Sequence, residues 1–156
     1  RAAPALADYA PGAGRGAPRE IPLAGGGTAL LVDESYNAAP PAMRAALRAL
    51  ALRPGARRIA VLGDMRELGE FSAGLHRSLA READAAADHV FCCGPEMAHL
   101  YAALPPGKRG AHAPDSAALA PIVQAALRPG DVVLVKGALG SRMAVVVRAL
   151  TESSVS

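Results

Sequence analysis

The sequence predicts an α/β domain whose mostly parallel sheet, of about six strands, is covered by helices on both faces. Short apolar runs alternate along the chain with longer stretches in which apolar residues recur at helical spacing. The apolar runs lack the in–out alternation of half-exposed strands, as is typical of strands buried on both faces. The 156 residues suffice for one domain with its own core, which Ala, Leu and Val must build because aromatic residues make up only 3%.

The N-terminal segment differs from the rest of the chain. Residues 1–19 are rich in Pro, Gly and Ala, which indicates a linker or the tail of a preceding domain, and residues 20–156 are assigned to the folded domain. Residues 20–23 and 28–32 are predicted to be two short strands, and the run of glycines between them indicates a hairpin.

Helices and strands alternate after the hairpin. The helices are predicted at residues 42–52, about 72–87, a short stretch up to 104, a stretch capped by Asp115 or Ser116, and about 141–150. The strands between them are predicted at residues 59–62, 90–93 and 132–135. Pro121 fits poorly inside the fourth helix, because proline lacks the N–H that a helix interior uses, so a later start of that helix stays open. The alternation favours a Rossmann-like three-layer arrangement with right-handed crossovers.

Composition and charge disfavour several classes of protein. The net charge of +3 and the pI of about 9.2 come from scattered Arg and Lys without interleaved aromatic residues, which favours a solvated surface over nucleic-acid binding. No apolar run reaches the ~18 residues of a membrane span, and the N-terminal residues do not have the pattern of a signal peptide. Because the chain starts with Arg1 and not Met, we expect a fragment of a longer protein.

Two adjacent cysteines lie within an apolar run. Cys92 and Cys93 are therefore predicted to point to opposite faces of a buried strand. No further Cys or His cluster completes a metal site, so free thiols in a reducing cytoplasm are the simplest interpretation.

Ionisable residues follow three of the predicted strands, each next to small or turn residues. Because the carboxyl ends of parallel strands share one edge of a sheet, these residues should face one crevice. Glycine at such an edge lets the backbone approach a ligand closely. The pattern predicts a site for a polar ligand, and the alternative is that charged residues simply end strands at the surface. The pairs are Asp33-Glu34, Gly63-Asp64 and Lys136-Gly137.

Common catalytic motifs are missing from the sequence. There is no G-x-x-x-x-G-K-[ST] phosphate loop, no G-x-G-x-x-G after a strand, and no Ser-His-Asp or Cys-His set. The histidines are dispersed and are predicted to be structural or at the surface; they are His76, His89, His99 and His112. A ligand-facing edge without a phosphate loop is typical of half of an active site.

Three segments resemble the C-terminal domain of the Mur ligases. They are DESYNAAPPAMRAAL at 33–47, VLGDMRELGEFSAGLH at 61–76 and VLVKGALGSRM at 133–143. The first two are most similar to the branch of that family that adds D-Ala-D-Ala to a UDP-MurNAc-tripeptide, and Arg15-Gly16 fits the G-R element of that branch. The resemblance covers residues 14–150.

The resemblance implies a parent enzyme of three domains, with the UDP-sugar on the N-terminal domain and the P-loop on the central domain. The implied reaction uses Mg-ATP, bound mainly by the central domain, to form an acyl phosphate at the tripeptide carboxylate. The amine of D-Ala-D-Ala then attacks, giving an amide, ADP and phosphate. This chain would close over ATP and position the dipeptide in cytoplasmic, bacterial peptidoglycan synthesis, within a monomeric enzyme. Because it lacks the P-loop, the chain alone is predicted to be inactive.

Site residues carry over from the resemblance by motif position. On the nucleotide side it implies Arg15, Asp33, Glu34, Tyr36 and Asn37. On the dipeptide side it implies Asp64, Met65, Glu67, Lys136 and Gly137. No complete catalytic set and no metal ligand is implied. The chain departs from the family pattern where Glu34 replaces Asp, Ala39 replaces Asn, and Ala42 and Ala138 replace Ser.

Three alternatives stay open at this point. The chain could belong to another ligase of the superfamily, such as a diaminopimelate-adding ligase or a folylpolyglutamate synthetase, which the first two segments disfavour. It could be a stand-alone module that binds a nucleotide or peptide without catalysis. It could also be an interaction domain with only a structural role, in which case Glu34 and Lys136 would be dispensable.

Overall fold

A six-stranded sheet forms the centre of the computed structural model, which describes residues 17–35 and 38–152. The strands are β1 (Pro18–Pro22), β2 (Thr28–Glu34), β3 (Arg57–Gly63), β4 (His89–Cys93), β5 (Arg109–Ala113) and β6 (Asp131–Lys136). Their order across the sheet is β1-β2-β6-β3-β4-β5. Strand β1 pairs antiparallel with β2, and every other neighbouring pair is parallel. The predicted α/β class and the N-terminal hairpin are confirmed.

Six helices cover the sheet within the described residues. They are α1 (Pro40–Ala51), α2 (Ser72–Ser78), α3 (Ala80–Ala86), α4 (Met97–Ala103), α5 (Ser116–Ala126) and α6 (Ala144–Glu152). Short 3-10 turns precede α2 and β5 and follow β6, at Gly69–Phe71, Pro106–Lys108 and Leu139–Ser141. Among the described residues, no helix is long and apolar enough to cross a membrane.

Two apolar cores lie on opposite faces of the sheet. Strand β6 is buried on both sides, with Val132 and Leu134 in one core and Val133 and Val135 in the other. Helices α1 to α4 complete the first core, and α5 and α6 complete the second. The cysteines divide as predicted, because Cys92 lies in the first core and Cys93 in the second.

Strand β5 was not predicted. Its sequence, RGAHA, has no apolar run, because it is an edge strand whose residues are mostly exposed up to the buried Ala113. Gly110 is required for packing there, since a Cβ at this position would lie 2.8 Å from ring atoms of Phe91 on the neighbouring strand.

The single helix predicted at residues 72–87 is wrong, because the chain breaks at Leu79 into α2 and α3. Leu79 keeps right-handed helical angles, and its N–H bonds to the carbonyl of His76 in a tightened turn. The break lets α2 pack on α4 while α3 packs on α1.

Helix boundaries differ from the prediction at two other places, whereas the predicted cap of the fourth helix is confirmed. Helix α1 begins two residues earlier, at Pro40, where proline fits because the first turn needs no N–H donor. Helix α5 begins at Ser116 in spite of Pro121, with the Asp115 carboxylate accepting the N–H of Ala118 at 2.9 Å. The last helix begins only at Ala144, after the Leu139–Ser141 turn.

Candidate functional site

The carboxyl ends of β2, β6 and β3 lie side by side, as the sequence predicts. The backbone register places Glu34 opposite Lys136, and Lys136 opposite Leu62, which is two residues before Asp64. The three ionisable groups therefore meet at one edge of the sheet, where an open parallel sheet holds its ligands.

Glu34 and Lys136 form an ion pair at this edge. The Lys136 Nζ lies 3.0 Å from the Glu34 Oε1, with 5% of the lysine side chain and 28% of the glutamate side chain exposed. A buried ammonium group needs such a partner, because leaving water without one is costly. The resemblance implies nucleotide contact for Glu34 and dipeptide contact for Lys136, but here the two side chains touch each other. Among the described residues the second carboxylate oxygen, Oε2, accepts no hydrogen bond.

The neighbouring Asp33 shapes the loop that follows β2. Its Oδ1 accepts the N–H of Ser35 at 3.0 Å and the Ser35 hydroxyl at 2.7 Å. These bonds turn the chain immediately after the strand. Three predicted nucleotide-side residues, Arg15, Tyr36 and Asn37, lie outside the residues that the structure describes.

Asp64 holds together the loops at the end of β3. It is 7% exposed, and its carboxylate accepts the N–H of Met97 at 2.7 Å and that of Glu96 at 3.2 Å, at the start of α4. Its carbonyl accepts the Ser141 hydroxyl at 2.7 Å. Gly94, with φ 102°, lies directly against this carboxylate, where a Cβ would clash. The carboxylate thus braces the edge.

The loop after Asp64 is fixed by a serine and a histidine of α2. The buried Met65 donates its N–H to Nε2 of His76 at 3.0 Å, and Nδ1 of His76 lies 2.8 Å from the carbonyl of Ser72. Because Nε2 accepts the N–H of Met65, the ring proton lies on Nδ1, which donates it to the carbonyl of Ser72. The Ser72 hydroxyl donates to Glu96 at 2.6 Å. The structural role predicted for His76 is confirmed. The hydrogen-bonded pair of Ser72 and His76, here called the Ser72–His76 brace, was not predicted, and the sequence indicates it only by the Ser-x-x-x-His spacing on a helix.

Gly137 serves packing at this edge, and Glu67 is exposed. A Cβ on Gly137 would lie 2.5 Å from Cγ of Met143 and 3.1 Å from Cα of Gly63, so β3 and β6 approach closely beneath Met143. Glu67 is exposed and has a left-handed backbone with φ 61°, which only a few per cent of non-glycine residues adopt.

Two hollows open beside Asp64 and Arg66. One, of about 140 Å³, lies between the ends of β3 to β5 and the start of α5, and Arg142 and Ser116 also line it. The other, of about 290 Å³, lies over the 64–69 loop, next to Ser72 and Glu96. The edge thus combines an ion pair on one side of the sheet with a cavity on the other that two arginines and two aspartates line.

Cys93 lines the smaller cavity but is poorly suited to nucleophilic chemistry. Burial raises the pKa of the Cys93 thiol to about 12, and burial likewise raises the pKa of Cys92. A thiol that stays protonated at neutral pH is a weak nucleophile and metal ligand. Among the described residues, no group of three or more His, Cys, Asp or Glu is arranged to hold a metal ion.

Comparison with known proteins identifies the family. The family described as Mur ligase, glutamate ligase domain, matches residues 23–139. The chain belongs to the Mur ligase family. A curated relative, the UDP-N-acetylmuramoyl-tripeptide–D-alanyl-D-alanine ligase of Escherichia coli (strain K12), is 38% identical over 127 residues, which cover 80% of this chain and 27% of that ligase. The enzyme of the same name from Treponema pallidum (strain Nichols) is 39% identical over 110 residues, covering 67% of this chain and 24% of its own length.

Solved structures agree with this assignment. The MurF ligase from Thermotoga maritima in complex with ADP matches with a TM-score of 0.75 and 30% identity, over 90% of this chain and 31% of that one. A MurF structure from Acinetobacter baumannii has a TM-score of 0.75 and 28% identity over the same shares of the two chains. The chain therefore spans less than a third of the length of each of these relatives.

Proposed function

We propose that this chain is the C-terminal domain of an ATP-dependent ligase that adds D-Ala-D-Ala to UDP-MurNAc-tripeptide in peptidoglycan precursor synthesis. The observation that carries the proposal is the edge where β2, β6 and β3 end, with Glu34 and Lys136 on one side and the cavity beside Asp64 on the other. The names of the curated relatives support the substrates. In this proposal residues 1–19 are the connection to a central ATPase domain, and residues 20–156 are the C-terminal domain.

Glu34 is the proposed nucleotide contact of this domain. Its Oε1 is held by Lys136, and Oε2 remains to accept a hydrogen bond from a ribose hydroxyl. Lys136 holds the Glu34 carboxylate in place, in addition to the dipeptide contact that the resemblance implies for this lysine. A structural relative that was solved with ADP supports a nucleotide-binding parent enzyme. Arg15, Asp33, Tyr36 and Asn37 stay proposed on the same side.

The dipeptide side is proposed to include the loop from Asp64 to Glu67 and the turn after Gly137. Asp64, Met65 and Gly137 form the frame of this side. Asp64 and Met65 make hydrogen bonds within the protein, and Gly137 allows close packing against Met143. The side chain of Glu67 remains exposed. A braced loop holds a reacting amine at a fixed distance, and such positioning supplies several kcal/mol of the rate enhancement in enzymes, up to about 10.

ATP, with its Mg²⁺ held mainly by the central domain, supplies the phosphoryl group that activates the tripeptide carboxylate as an acyl phosphate. The contribution of this chain is to close over the reacting groups, align the dipeptide amine and exclude the water that would hydrolyse the activated carboxylate. We place the enzyme in the bacterial cytoplasm as a monomer, with peptidoglycan synthesis and therefore cell shape and division depending on it.

The test is a ligation assay with the product of the complete gene that encodes this sequence. With ATP, Mg²⁺, UDP-MurNAc-tripeptide and D-Ala-D-Ala, we expect phosphate release and a nucleotide product heavier by one dipeptide less water. Replacing the dipeptide by glutamate or diaminopimelate should abolish the reaction, which separates this function from that of other Mur ligases. The 156-residue chain alone should not turn over ATP, because its sequence contains no P-loop motif. Ligation of one of the other amines, with none of the dipeptide, would refute the proposal.

A further inference from the structure

The cavity at the start of α5 has two guanidinium groups among its lining side chains. Arg66 lies against the turn after β6, where its Nη2 donates to the carbonyl of Gly140 at 3.0 Å. Arg142 is exposed two residues before the last helix, and among the described residues its side chain makes no hydrogen bond or ion pair. Its left-handed backbone, with φ 57°, lies between the Leu139–Ser141 turn and α6.

A buried hydroxyl, that of Ser116, lines the same cavity. Ser116, the first residue of the 11-residue helix α5, is 4% exposed. Within the described part of the chain, its hydroxyl makes no hydrogen bond, although a buried hydroxyl normally has one. The Asp115 carboxylate already caps the start of this helix, so the Ser116 hydroxyl is the polar group that the helix start leaves for a ligand.

The two carboxylates that border the cavity are already used within the protein. Asp64 accepts backbone N–H groups at the start of α4, and Asp115 accepts the N–H of Ala118. The groups left to serve a ligand are therefore the Arg142 guanidinium, the remaining N–H donors of Arg66 and the Ser116 hydroxyl. All of them can donate hydrogen bonds, and two carry positive charge.

We propose that Arg142, with Arg66 and Ser116, binds the C-terminal carboxylate of the incoming dipeptide. The inference rests on the proposed function and extends it to named residues. A planar guanidinium matches a carboxylate with two parallel hydrogen bonds, which also orients the group. The volume of about 140 Å³ suits a small, compact group of this kind. Arg142 is then a specificity-determining residue that selects an amine compound ending in a free carboxylate.

The test compares Arg142→Asn with Arg148→Asn in the product of the complete gene. Asparagine tolerates the left-handed backbone at position 142 better than most residues. Arg148 is an exposed arginine of α6 that pairs with Glu152 away from the cavity. We expect Arg142→Asn to raise the KM for D-Ala-D-Ala roughly ten-fold to a hundred-fold, with kcat changed less than about three-fold. The KM for ATP should not change, and Arg148→Asn should behave as the wild type.

A second substrate identifies the group that is bound. D-Alanyl-D-alaninamide lacks the carboxylate, so the wild-type enzyme should bind it about as weakly as Arg142→Asn binds the dipeptide, and the variant should lose nothing further with the amide. The inference is overturned if the wild type ligates but Arg142→Asn matches Arg148→Asn, if the variant raises the KM for ATP instead, or if amidation weakens both enzymes equally. A wild-type enzyme that does not ligate at all would instead refute the proposed function.

Discussion

Single residues at the sheet edge have contacts that the sequence did not predict. The sequence places Asp33, Glu34, Asp64 and Lys136 at strand ends, and that placement is confirmed. Which atoms they contact depends on distant segments. The Asp64 carboxylate points to the start of α4, 32 and 33 residues later in the chain, and Glu34 meets Lys136 across 102 positions. Spacing within one segment carries no information about such pairs.

The Glu34–Lys136 pair should show measurable energetic coupling. In a double-mutant cycle of Glu34→Ala and Lys136→Met, we expect a coupling energy of about 1–2 kcal/mol in urea unfolding, because the lysine is almost fully buried. The same cycle on Arg148 and Glu152, an exposed pair separated by 3.9 Å, should give less than about 0.5 kcal/mol. Equal coupling in the two cycles would contradict the burial argument.

The buried thiols should make stability depend on alkaline pH. Burial raises the pKa of Cys93 from about 9 to about 12, so between these values the unfolded chain loses a proton that the folded chain keeps. The free energy of unfolding should therefore fall as pH rises from 9 towards 12, by up to about 1.4 kcal/mol per pH unit for this thiol. Urea unfolding of the wild type and of Cys93→Ala measures the effect as a difference. Parallel pH profiles for the two proteins would show that the thiol does not contribute.

At the scale of elements, the apolar pattern of the sequence predicts the buried strands and helices, but it misses an exposed edge strand and a break within a helix. Strands β3, β4 and β6 were predicted because they are continuous apolar runs. Strand β5 has too little apolar surface, and the break at Leu79 is invisible because the apolar pattern and the helical backbone angles continue through it. Its cause is tertiary, in the different partners of the two short helices.

The Ser72–His76 brace should determine the order of the loop at the dipeptide side. His76→Ala leaves the buried Met65 N–H without its acceptor and opens space in the core, so we expect a loss of about 2–3 kcal/mol in the free energy of unfolding. Amide hydrogen exchange at Met65 should become faster. The half-buried His99 on α4 provides the control, and His99→Ala should cost less than about 1 kcal/mol. Unchanged exchange at Met65 in His76→Ala would contradict the brace.

The described part of the chain is a two-core frame that presents one edge of its sheet. Two cores, built largely from Ala, Leu, Val and Met, fix the strand ends, and the polar groups that remain there lie on two sides of the sheet. The fold class and the family could be predicted from the sequence, because the alternation of strands and helices indicates a mostly parallel sheet and the family motifs lie at strand ends. The cavity could not, because it forms only where β3, β4, β5 and the first turn of α5 converge.

The measurement that tests the central claim most directly is the KM for ATP of the complete gene product carrying Glu34→Gln, with Glu152→Gln as the exposed control. If this edge is the nucleotide-facing surface of a ligase, Glu34→Gln should raise the KM for ATP about ten-fold, the cost of weakening one charge-assisted hydrogen bond. The KM for D-Ala-D-Ala should stay unchanged, and so should both constants in the control. An active enzyme whose KM for ATP is the same in Glu34→Gln as in the wild type would contradict the account.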